Sequence, residues 1–282
     1  MIVPNANSFT VRSRHGRLLG VAAYGRPSGK LLLYFHGFPG SRLEGGMLHE
    51  AAERAGVRVL AIDRPGVGLS SFASGRRLLD WPDDVSVLAD ELGADRFSVV
   101  GFSGGGPFAL ACACKIPDRL AGCGIVSGPT EPGLLAFLAS RVMPFLLIPL
   151  AHSRFRDRSQ AQRSLARLAR RWPEADRKSL GRPEVREILA ASLVEQFRQG
   201  TKGGVQDAML LGAPWGFSLE NIAFPQMRLW HGELDKQISV VQAHANMARL
   251  PRCEATYLPN DAHISTLTNH ADDIVRGLTG AP

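Results

Sequence analysis

The 282-residue chain has few cysteines, few tyrosines and no long uninterrupted apolar run. Its four cysteines show no C-x-x-C or comparable metal-ligand spacing, and three of them lie in apolar runs, which favours buried thiols over zinc ligands or disulfides. A membrane span needs about 20 consecutive apolar residues. The most apolar stretch, residues 133–151, is interrupted by Arg141, Pro144 and Pro149. We therefore expect no metal site and no stable membrane insertion.

The first ten residues contain no basic segment followed by an apolar run, which is the pattern of a secretory signal peptide. A hydrophobic content of 45% and a charged content of 21% are ordinary for soluble globular domains. Reduced thiols are typical of intracellular proteins. From these features we expect a cytoplasmic protein.

Positive charge is concentrated in one segment of the chain. The formal net charge is +7, and 28 of the 33 basic residues are arginines. Between Arg141 and Lys202 there are 14 basic residues against six acidic ones, which leaves the rest of the chain close to neutral. A basic surface attracts anionic substrates, lipid head groups or nucleic acid, but a solvated arginine-rich helical face has the same composition. Because no interleaved aromatics or nucleic-acid-binding motif accompany it, we expect no nucleic-acid partner.

One glycine-rich turn has a serine at its apex. Residues 101–105 read Gly-Phe-Ser-Gly-Gly, after the apolar run 97–100 and before a run of small residues from Pro107. G-x-S-x-G at a strand-to-helix turn holds its serine exposed and strained, and the glycines let strand and helix approach closely. A dinucleotide-binding fingerprint would need glycine at Ser103, and a Walker loop would need a closing Gly-Lys-Ser/Thr. Ser103 is therefore a candidate nucleophile, unless the motif is only a glycine-rich turn with an idle serine.

Strand-like and helical patterns alternate in the first half of the chain. The apolar runs are at residues 30–35, 57–62, 97–100 and 120–126. This alternation predicts a parallel sheet with right-handed crossovers, and residues 9–24 predict a hairpin that turns at His15-Gly16.

Only helical patterns occur from residue 133 to about 214, and strand–helix alternation then resumes. This arrangement predicts an α/β core, residues 1–132 and 215–282, with a helical cap (lid), residues 133–214, inserted into it. We expect the apolar stretch of the cap to line the acyl side of the site or to pack on the underside of the cap.

A catalytic serine needs a base, and the base needs an orienting carboxylate. Asp235 follows the first predicted strand after the cap, and His263 follows the last predicted strand. Because the carboxyl ends of parallel strands share one edge of the sheet, we expect both to lie near Ser103. Glu233, and Glu131 at the end of the strand before the cap, are alternatives to Asp235.

Two further histidines and one charged pair follow predicted strands. His36 and His231 each precede a glycine, so we interpret them as residues that shape turns. Asp63 and Arg64 are interpreted as support for the loop that follows their strand, through a salt bridge, and a site role for Asp63 stays open.

Five segments, in this order, resemble the α/β-hydrolase fold family in its cap-bearing branch. They are residues 36–39, 63–70, 101–105, 231–235 and 261–263. The resemblance implies a mostly parallel twisted sheet with helices on both faces and an inserted helical cap. It further implies that Ser103 is the nucleophile, His263 the general base and Asp235 the carboxylate that orients it. The backbone N–H groups of Phe38 and Gly104 would form the oxyanion hole. No metal or organic cofactor is implied.

The resemblance also implies a serine hydrolase that cleaves a carboxylester, thioester or lactone through an acyl-enzyme. Haloalkane dehalogenases and epoxide hydrolases of this fold have an aspartate where Ser103 stands, and all three tyrosines lie outside the predicted cap. The basic cap disfavours relatives that hold a substrate amine with acidic cap residues. Carbon–carbon bond hydrolysis by the same triad and a non-hydrolytic ligand-binding receptor are the alternatives. We expect a small-molecule substrate that is apolar and compatible with an anionic group.

Overall fold

Eight strands form one sheet in the computed structural model, which describes residues 7–13 and 16–281. The strands are β1 (Asn7–Arg12), β2 (Leu18–Gly25), β3 (Lys30–Phe35), β4 (Val57–Ile62), β5 (Phe97–Phe102), β6 (Leu120–Val126), β7 (Met227–Gly232) and β8 (Cys253–Leu258). Their order across the sheet is β1-β2-β4-β3-β5-β6-β7-β8. β3 to β8 pair in parallel, whereas β1 pairs with β2 and β2 with β4 in antiparallel fashion. The predicted mostly parallel sheet is confirmed.

The predicted N-terminal hairpin is present as the antiparallel pair β1–β2. Of its predicted turn, His15 lies outside the described residues.

Parallel strands that are covered on both faces read as continuous apolar runs, and all six residues of β5 are buried.

Twelve α-helices lie in the described part of the chain. They are α1 (His49–Ala55), α2 (Trp81–Glu91), α3 (Gly106–Lys115), α4 (Leu134–Ser140), α5 (Met143–Arg154), α6 (Arg158–Ala169), α7 (Glu174–Gly181), α8 (Pro183–Gln196), α9 (Lys202–Leu211), α10 (Val240–Arg249), α11 (His263–Asn269) and α12 (Ala271–Thr279). A 3₁₀ turn, Arg42–Leu48, precedes α1 and leads directly into it. There Gly45 lies so close to Ala61 and Tyr24 that a side chain would collide with them.

Helices cover both faces of the sheet. Tyr34 and Phe35 are neighbours on β3 and point to opposite faces, so Tyr34 packs in the cluster with α1 and α12 and Phe35 in the cluster with α2 and α3. On the second face, Trp81 contacts the rings of Phe35 and Phe108 edge-on, with centroids 5.3 and 5.7 Å apart. The expected helix–sheet–helix layering is confirmed.

Helices α4 to α9 lie between β6 and β7, and none of the eight strands falls between them. α8 holds the loop after β3, because Gln196 Oε1 accepts a hydrogen bond from the Gly40 N–H (3.1 Å) and Ser192 Oγ accepts one from the Ser41 N–H (2.8 Å). The division into a core and a cap with boundaries at 133 and 214 stays a prediction.

The apolar stretch 133–151 differs from its expected packing. It forms two helices, α4 and α5, and most of their large apolar side chains are exposed, including Leu135 at 82% and Leu146 at 65%. The expected packing on the underside of the cap is therefore wrong for most of these side chains, whereas lining of the acyl side stays a prediction. In the described ranges no single helix is long and apolar enough to cross a membrane, whereas α4 and α5 together meet that criterion but are bent by 60°.

Candidate active site

Ser103 lies at the turn between β5 and α3, with a positive φ of 49°. Such a backbone conformation is strained for a serine, and it persists only where the surroundings enforce it. The flanking glycines are required by close packing, because a Cβ at Gly101 would overlap the carbonyl oxygen of Gly105, and one at Gly105 would overlap that of Phe35. The sharp elbow predicted from the motif is therefore present.

His263 and Asp235 are hydrogen-bonded to each other, with 2.7 Å between Nδ1 of the imidazole and Oδ2 of the carboxylate. Both side chains are buried. The other oxygen of Asp235 accepts hydrogen bonds from the N–H groups of Gln237 (2.8 Å) and Ile238 (2.9 Å), which fixes the carboxylate in the turn after β7. A carboxylate on Nδ1 keeps the proton of a neutral imidazole there, so Nε2 is the atom able to accept a proton.

The imidazole lies beside the elbow. The ring of Phe102, the residue before Ser103, is 5.2 Å from the ring of His263 between centroids, and Ser127 Oγ donates a hydrogen bond to the His263 carbonyl (3.2 Å). Over residues 7–13 and 16–281 no hydrogen bond joins the Ser103 hydroxyl to His263. In ligand-free serine hydrolases this contact is often long and tightens only when substrate binds.

Neither alternative carboxylate is placed to orient His263. Glu233 is exposed in the turn after β7, and Glu131 forms an ion pair with Arg249 at 3.1 Å. Asp235 is therefore the carboxylate that the fold brings to the imidazole.

Phe38 and Gly104 are close neighbours, as two donors to one oxygen must be. A Cβ placed on Gly104 would lie 2.8 Å from Cβ of Phe38 and 3.2 Å from its backbone nitrogen. Leu211 at the end of α9 is on the same side, with Cδ1 3.2 Å from that position. The loop after β3 and the elbow thus meet where an oxyanion hole would form.

A buried arginine supports the loop that carries Phe38. Arg64 donates to the carbonyl oxygens of His36 (2.5 Å) and Gly37 (2.9 Å), and it forms a 2.8 Å ion pair with Asp207 of α9. Asp207 also pairs with Arg76, so one buried carboxylate serves two buried arginines. Burial lowers the pKa of His36 well below its ordinary value, in keeping with a neutral ring that shapes the turn.

The expected salt-bridge support at residues 63 and 64 is present, but with other partners. Asp63 pairs with Arg42 at 2.7 Å rather than with Arg64, and it accepts hydrogen bonds from the Arg42 and Leu69 N–H groups. His231 is also buried, with Nε2 2.9 Å from the carbonyl oxygen of Ile238, and burial lowers its pKa.

Two buried carboxylates next to the site were not found from the sequence. Asp176 of α7 accepts hydrogen bonds from the backbone N–H groups at the start of α11. In the sequence, the one feature that could have drawn attention to Asp176 is that it is an acidic residue within a basic segment. Glu44 accepts one from the Gly37 N–H (2.7 Å) and one from the Tyr34 hydroxyl (3.3 Å). Burial raises the pKa of Glu44 to about 7 and also raises that of Asp176.

Among the described residues no group of three or more His, Cys, Asp or Glu side chains is arranged to hold a metal ion.

Comparison with known proteins gives the family. The model of the alpha/beta hydrolase fold matches residues 30–263. Among curated proteins, the chain is 38% identical over 104 residues to epoxide hydrolase B of Mycobacterium tuberculosis, a match that covers 36% of this chain and 29% of that protein. It is 35% identical over 117 residues to 2-succinyl-6-hydroxy-2,4-cyclohexadiene-1-carboxylate synthase of Escherichia coli, covering 40% of this chain and 43% of that one. The chain thus matches less than half the length of these relatives.

Solved structures match over almost the whole chain. A hydrolase from Pseudomonas aeruginosa PA01 superposes with a TM-score of 0.76 at 21% identity, covering 98% of this chain and all of that one. A thermophilic esterase from Thermogutta terrifontis superposes with a TM-score of 0.72 at 21% identity, covering 96% and 97%. At such identities the likeness establishes the fold. Together with the family match over residues 30–263, it shows that the chain belongs to the α/β-hydrolase fold family.

Proposed function

We propose that the protein is a serine hydrolase that cleaves an ester-like bond through an acyl-enzyme on Ser103. The observation that carries this proposal is the 2.7 Å hydrogen bond between His263 and Asp235, beside a serine held at positive φ. An imidazole oriented by a carboxylate, next to a serine on an elbow, is the arrangement that activates a hydroxyl as a nucleophile.

In the first half-reaction, Ser103 Oγ bonds to the substrate carbonyl carbon while its proton passes to Nε2 of His263. The bond from that carbon to the leaving oxygen or sulfur then breaks, and the proton on Nε2 goes to the leaving atom. In the second half-reaction, water attacks the acyl carbon and gives a proton to Nε2. That proton returns to Ser103 as the carboxylic acid departs. Asp235 keeps the imidazole oriented and stabilises its charged form throughout.

The negative charge that develops on the carbonyl oxygen requires donors in place before the reaction. The N–H groups of Phe38 and Gly104 are the proposed donors, because the two residues are in contact at the elbow. Losing one such donor typically costs about 3 kcal/mol of transition-state stabilisation. Arg64, Glu44 and α8 hold the Phe38 loop, which explains why so many buried polar contacts converge on it.

A serine at the elbow favours ester chemistry over epoxide opening. The partial match to an epoxide hydrolase indicates that the two proteins share part of the fold. In epoxide hydrolases of this fold an aspartate attacks the ring, and in this chain the corresponding residue is Ser103. The partial match to a synthase that forms a cyclohexadiene carboxylate shows that relatives of this chain are not all ester hydrolases, so carbon–carbon bond hydrolysis by the same triad stays the second candidate.

Hydrolysis of p-nitrophenyl esters of increasing acyl length, with lactones and acyl thioesters as further substrates, tests the proposal. We expect turnover by the wild type and none above background by Ser103→Ala, whereas Ser218→Ala, at a half-buried serine that hydrogen-bonds Glu220, keeps wild-type rates. Turnover that survives in Ser103→Ala would contradict the proposal. Folded wild-type protein that turns over no ester but binds the same compounds would favour the receptor alternative.

A further inference from the structure

Exposed apolar side chains are concentrated on α4, α5 and the turn between them. Nine of the 13 exposed large hydrophobic residues in the described part of the chain lie there. They are Leu134, Leu135, Leu138, Val142, Met143, Phe145, Leu146, Leu147 and Leu150. We refer to these nine residues as the α4–α5 surface. Exposed apolar side chains that are concentrated in this way mark a binding site for a protein or a membrane.

The α4–α5 surface is accompanied by positive charge only. No aspartate or glutamate occurs from residue 132 to residue 156. Arg141 lies at the break between the two helices, Arg154 ends α5 and Arg156 follows it; all three are exposed, and none forms an ion pair with a described carboxylate. Apolar side chains flanked by unpaired arginines are typical of helices that lie in a membrane interface, where the guanidinium groups reach lipid phosphates.

The next helix extends this positive charge. α6 and the turn after it carry four exposed arginines, Arg163, Arg167, Arg170 and Arg171, which also form no ion pair within the described residues. The middle of α6 is tied to the end of α5, because Ser164 Oγ donates to the Arg154 carbonyl (3.2 Å). Basic residues close to a membrane surface are attracted by anionic lipids.

A cavity of about 540 Å³ opens beside the α4–α5 surface, between α5, α9 and the loop before α2. Phe145 and Pro149 of α5 form part of its wall, and its charged residues are Arg141, Lys202 and Arg76, of which Arg76 is already paired with Asp207. The cavity therefore combines apolar walls with cations and has no carboxylate in its lining. This chemistry suits a molecule with an anionic head group and an apolar chain.

The geometry of the two helices fits a surface-bound arrangement. Neither helix is long enough to span a bilayer, and the 60° bend between them places them as two short segments that can lie in the plane of an interface. A second copy of the chain is a poorer occupant, because pairing two such faces would bring two sets of unpaired arginines together without any acidic partner.

We propose that the α4–α5 surface binds membranes that contain anionic lipids, with its apolar side chains at the head-group–acyl boundary and its arginines on the phosphates. α5 packs against α9, and Leu211 at the end of α9 approaches Gly104 of the elbow. The docked surface thus lies one helix away from Ser103. The binding does not depend on the proposed hydrolase activity.

Sedimentation with lipid vesicles tests this proposal. The probes are vesicles of phosphatidylcholine alone and of an equal mixture of phosphatidylcholine and phosphatidylglycerol. We expect the wild type to sediment with the mixed vesicles and to be released by added salt. The pair Leu135→Ser and Leu146→Ser, made together, should lower the bound fraction at least about tenfold, because the interfacial affinity depends on buried apolar area. Arg154→Gln should lower the partition coefficient about fivefold at low salt.

Matched controls separate this surface from general stickiness. Val241→Ser removes an apolar side chain that is 72% exposed on α10, and Arg252→Gln removes an exposed arginine near β8. Both should bind as the wild type does. Absence of binding to mixed vesicles by folded protein would overturn the proposal, as would equal binding to phosphatidylcholine alone or unchanged binding by the serine pair. The proposal would also be overturned, in favour of a second copy as the occupant, by one further result. In that result the wild type binds no vesicles but forms dimers in analytical ultracentrifugation, and the serine pair does not form them.

Discussion

Asp176 of α7 accepts a hydrogen bond from the backbone N–H of His263, with 3.2 Å between oxygen and nitrogen. Its other oxygen accepts from the N–H groups of Ile264 (2.8 Å) and Ser265 (2.9 Å), so one carboxylate satisfies the free N–H groups at the start of α11. The helical segment between β6 and β7 therefore fixes the position of the candidate catalytic imidazole, although the residues are 87 positions apart.

Replacing Asp176 by alanine tests this link. Loss of a helix cap typically costs about 1 kcal/mol, and the N–H of His263 would lose its fixed partner. We expect Asp176→Ala to lower both the free energy of unfolding and kcat, measured by urea titration and ester hydrolysis. At the start of α6 the Asp157 side chain is the cap, because it accepts a hydrogen bond from the Gln160 N–H. Asp157→Ala removes this cap and should lower the free energy of unfolding to a similar degree without changing kcat. Equal kcat values for the two variants would refute a positioning role.

Asp235 and Glu233 can be told apart by conservative amide substitutions. Asp235→Asn removes the carboxylate on His263 Nδ1, and loss of an orienting carboxylate in a serine triad lowers kcat on the order of 10⁴-fold. Glu233→Gln changes an exposed carboxylate two residues away, and we expect its kcat to stay within about twofold of the wild-type value. The reverse ranking in a steady-state assay would reassign the acid.

Glu44 should make stability depend on pH. Burial raises the pKa of this carboxyl to about 7 in the folded state from an ordinary value of 4.5. Between these two values the unfolded chain binds fewer protons than the folded one, so stability falls as pH rises through this window and levels off above it. Glu44→Gln removes the ionisation and keeps an acceptor for the Gly37 N–H.

We therefore expect Glu44→Gln to become progressively more stable relative to the wild type as pH rises through this window, by an amount on the order of 3 kcal/mol. Urea titrations at a series of pH values measure this difference. Glu50→Gln changes an exposed carboxylate on α1, and its free energy of unfolding should differ from that of the wild type by the same amount at every pH. A Glu44→Gln difference that does not change with pH would contradict the raised pKa.

Asp207 should be a large contributor to stability. It pairs with both Arg64 and Arg76, and all three side chains are buried. Removing one partner from a buried ion pair leaves an uncompensated charge and costs about 3–5 kcal/mol. We expect this loss for Asp207→Ala in urea unfolding, whereas Asp83→Ala, which breaks the exposed pair with Lys115, should cost at most about 1 kcal/mol. Similar losses for both variants would contradict this assignment.

The elbow and the three candidate triad residues could be predicted because each is marked locally. Ser103 has flanking glycines, and Asp235 and His263 each follow a predicted strand, so the rule that parallel strands end at one edge places them together. Three other carboxylates, Asp176, Glu44 and Asp207, have no such local mark, because their partners are distant in the chain. They reach these partners only through the packing of α7, of the turn before α1, and of α9, respectively. Their roles became visible only in the folded structure.

The packing of α4 and α5 was predicted wrongly for a related physical reason. An apolar pattern indicates that a surface avoids water, but it does not identify what covers that surface. For Leu32 of β3 the cover is the protein's own core, whereas Leu135 of α4 is left exposed in the isolated chain. The same pattern therefore fits a buried helix and a helix that binds a membrane.

Covalent labelling with a fluorophosphonate, read by intact mass, tests most directly whether Ser103 is an activated nucleophile. We predict one adduct on the wild type, none on Ser103→Ala, and strongly slowed labelling of His263→Ala, since the imidazole must remove the hydroxyl proton. Folded wild-type protein that stays unlabelled, or an adduct that persists in Ser103→Ala, would contradict the proposed triad.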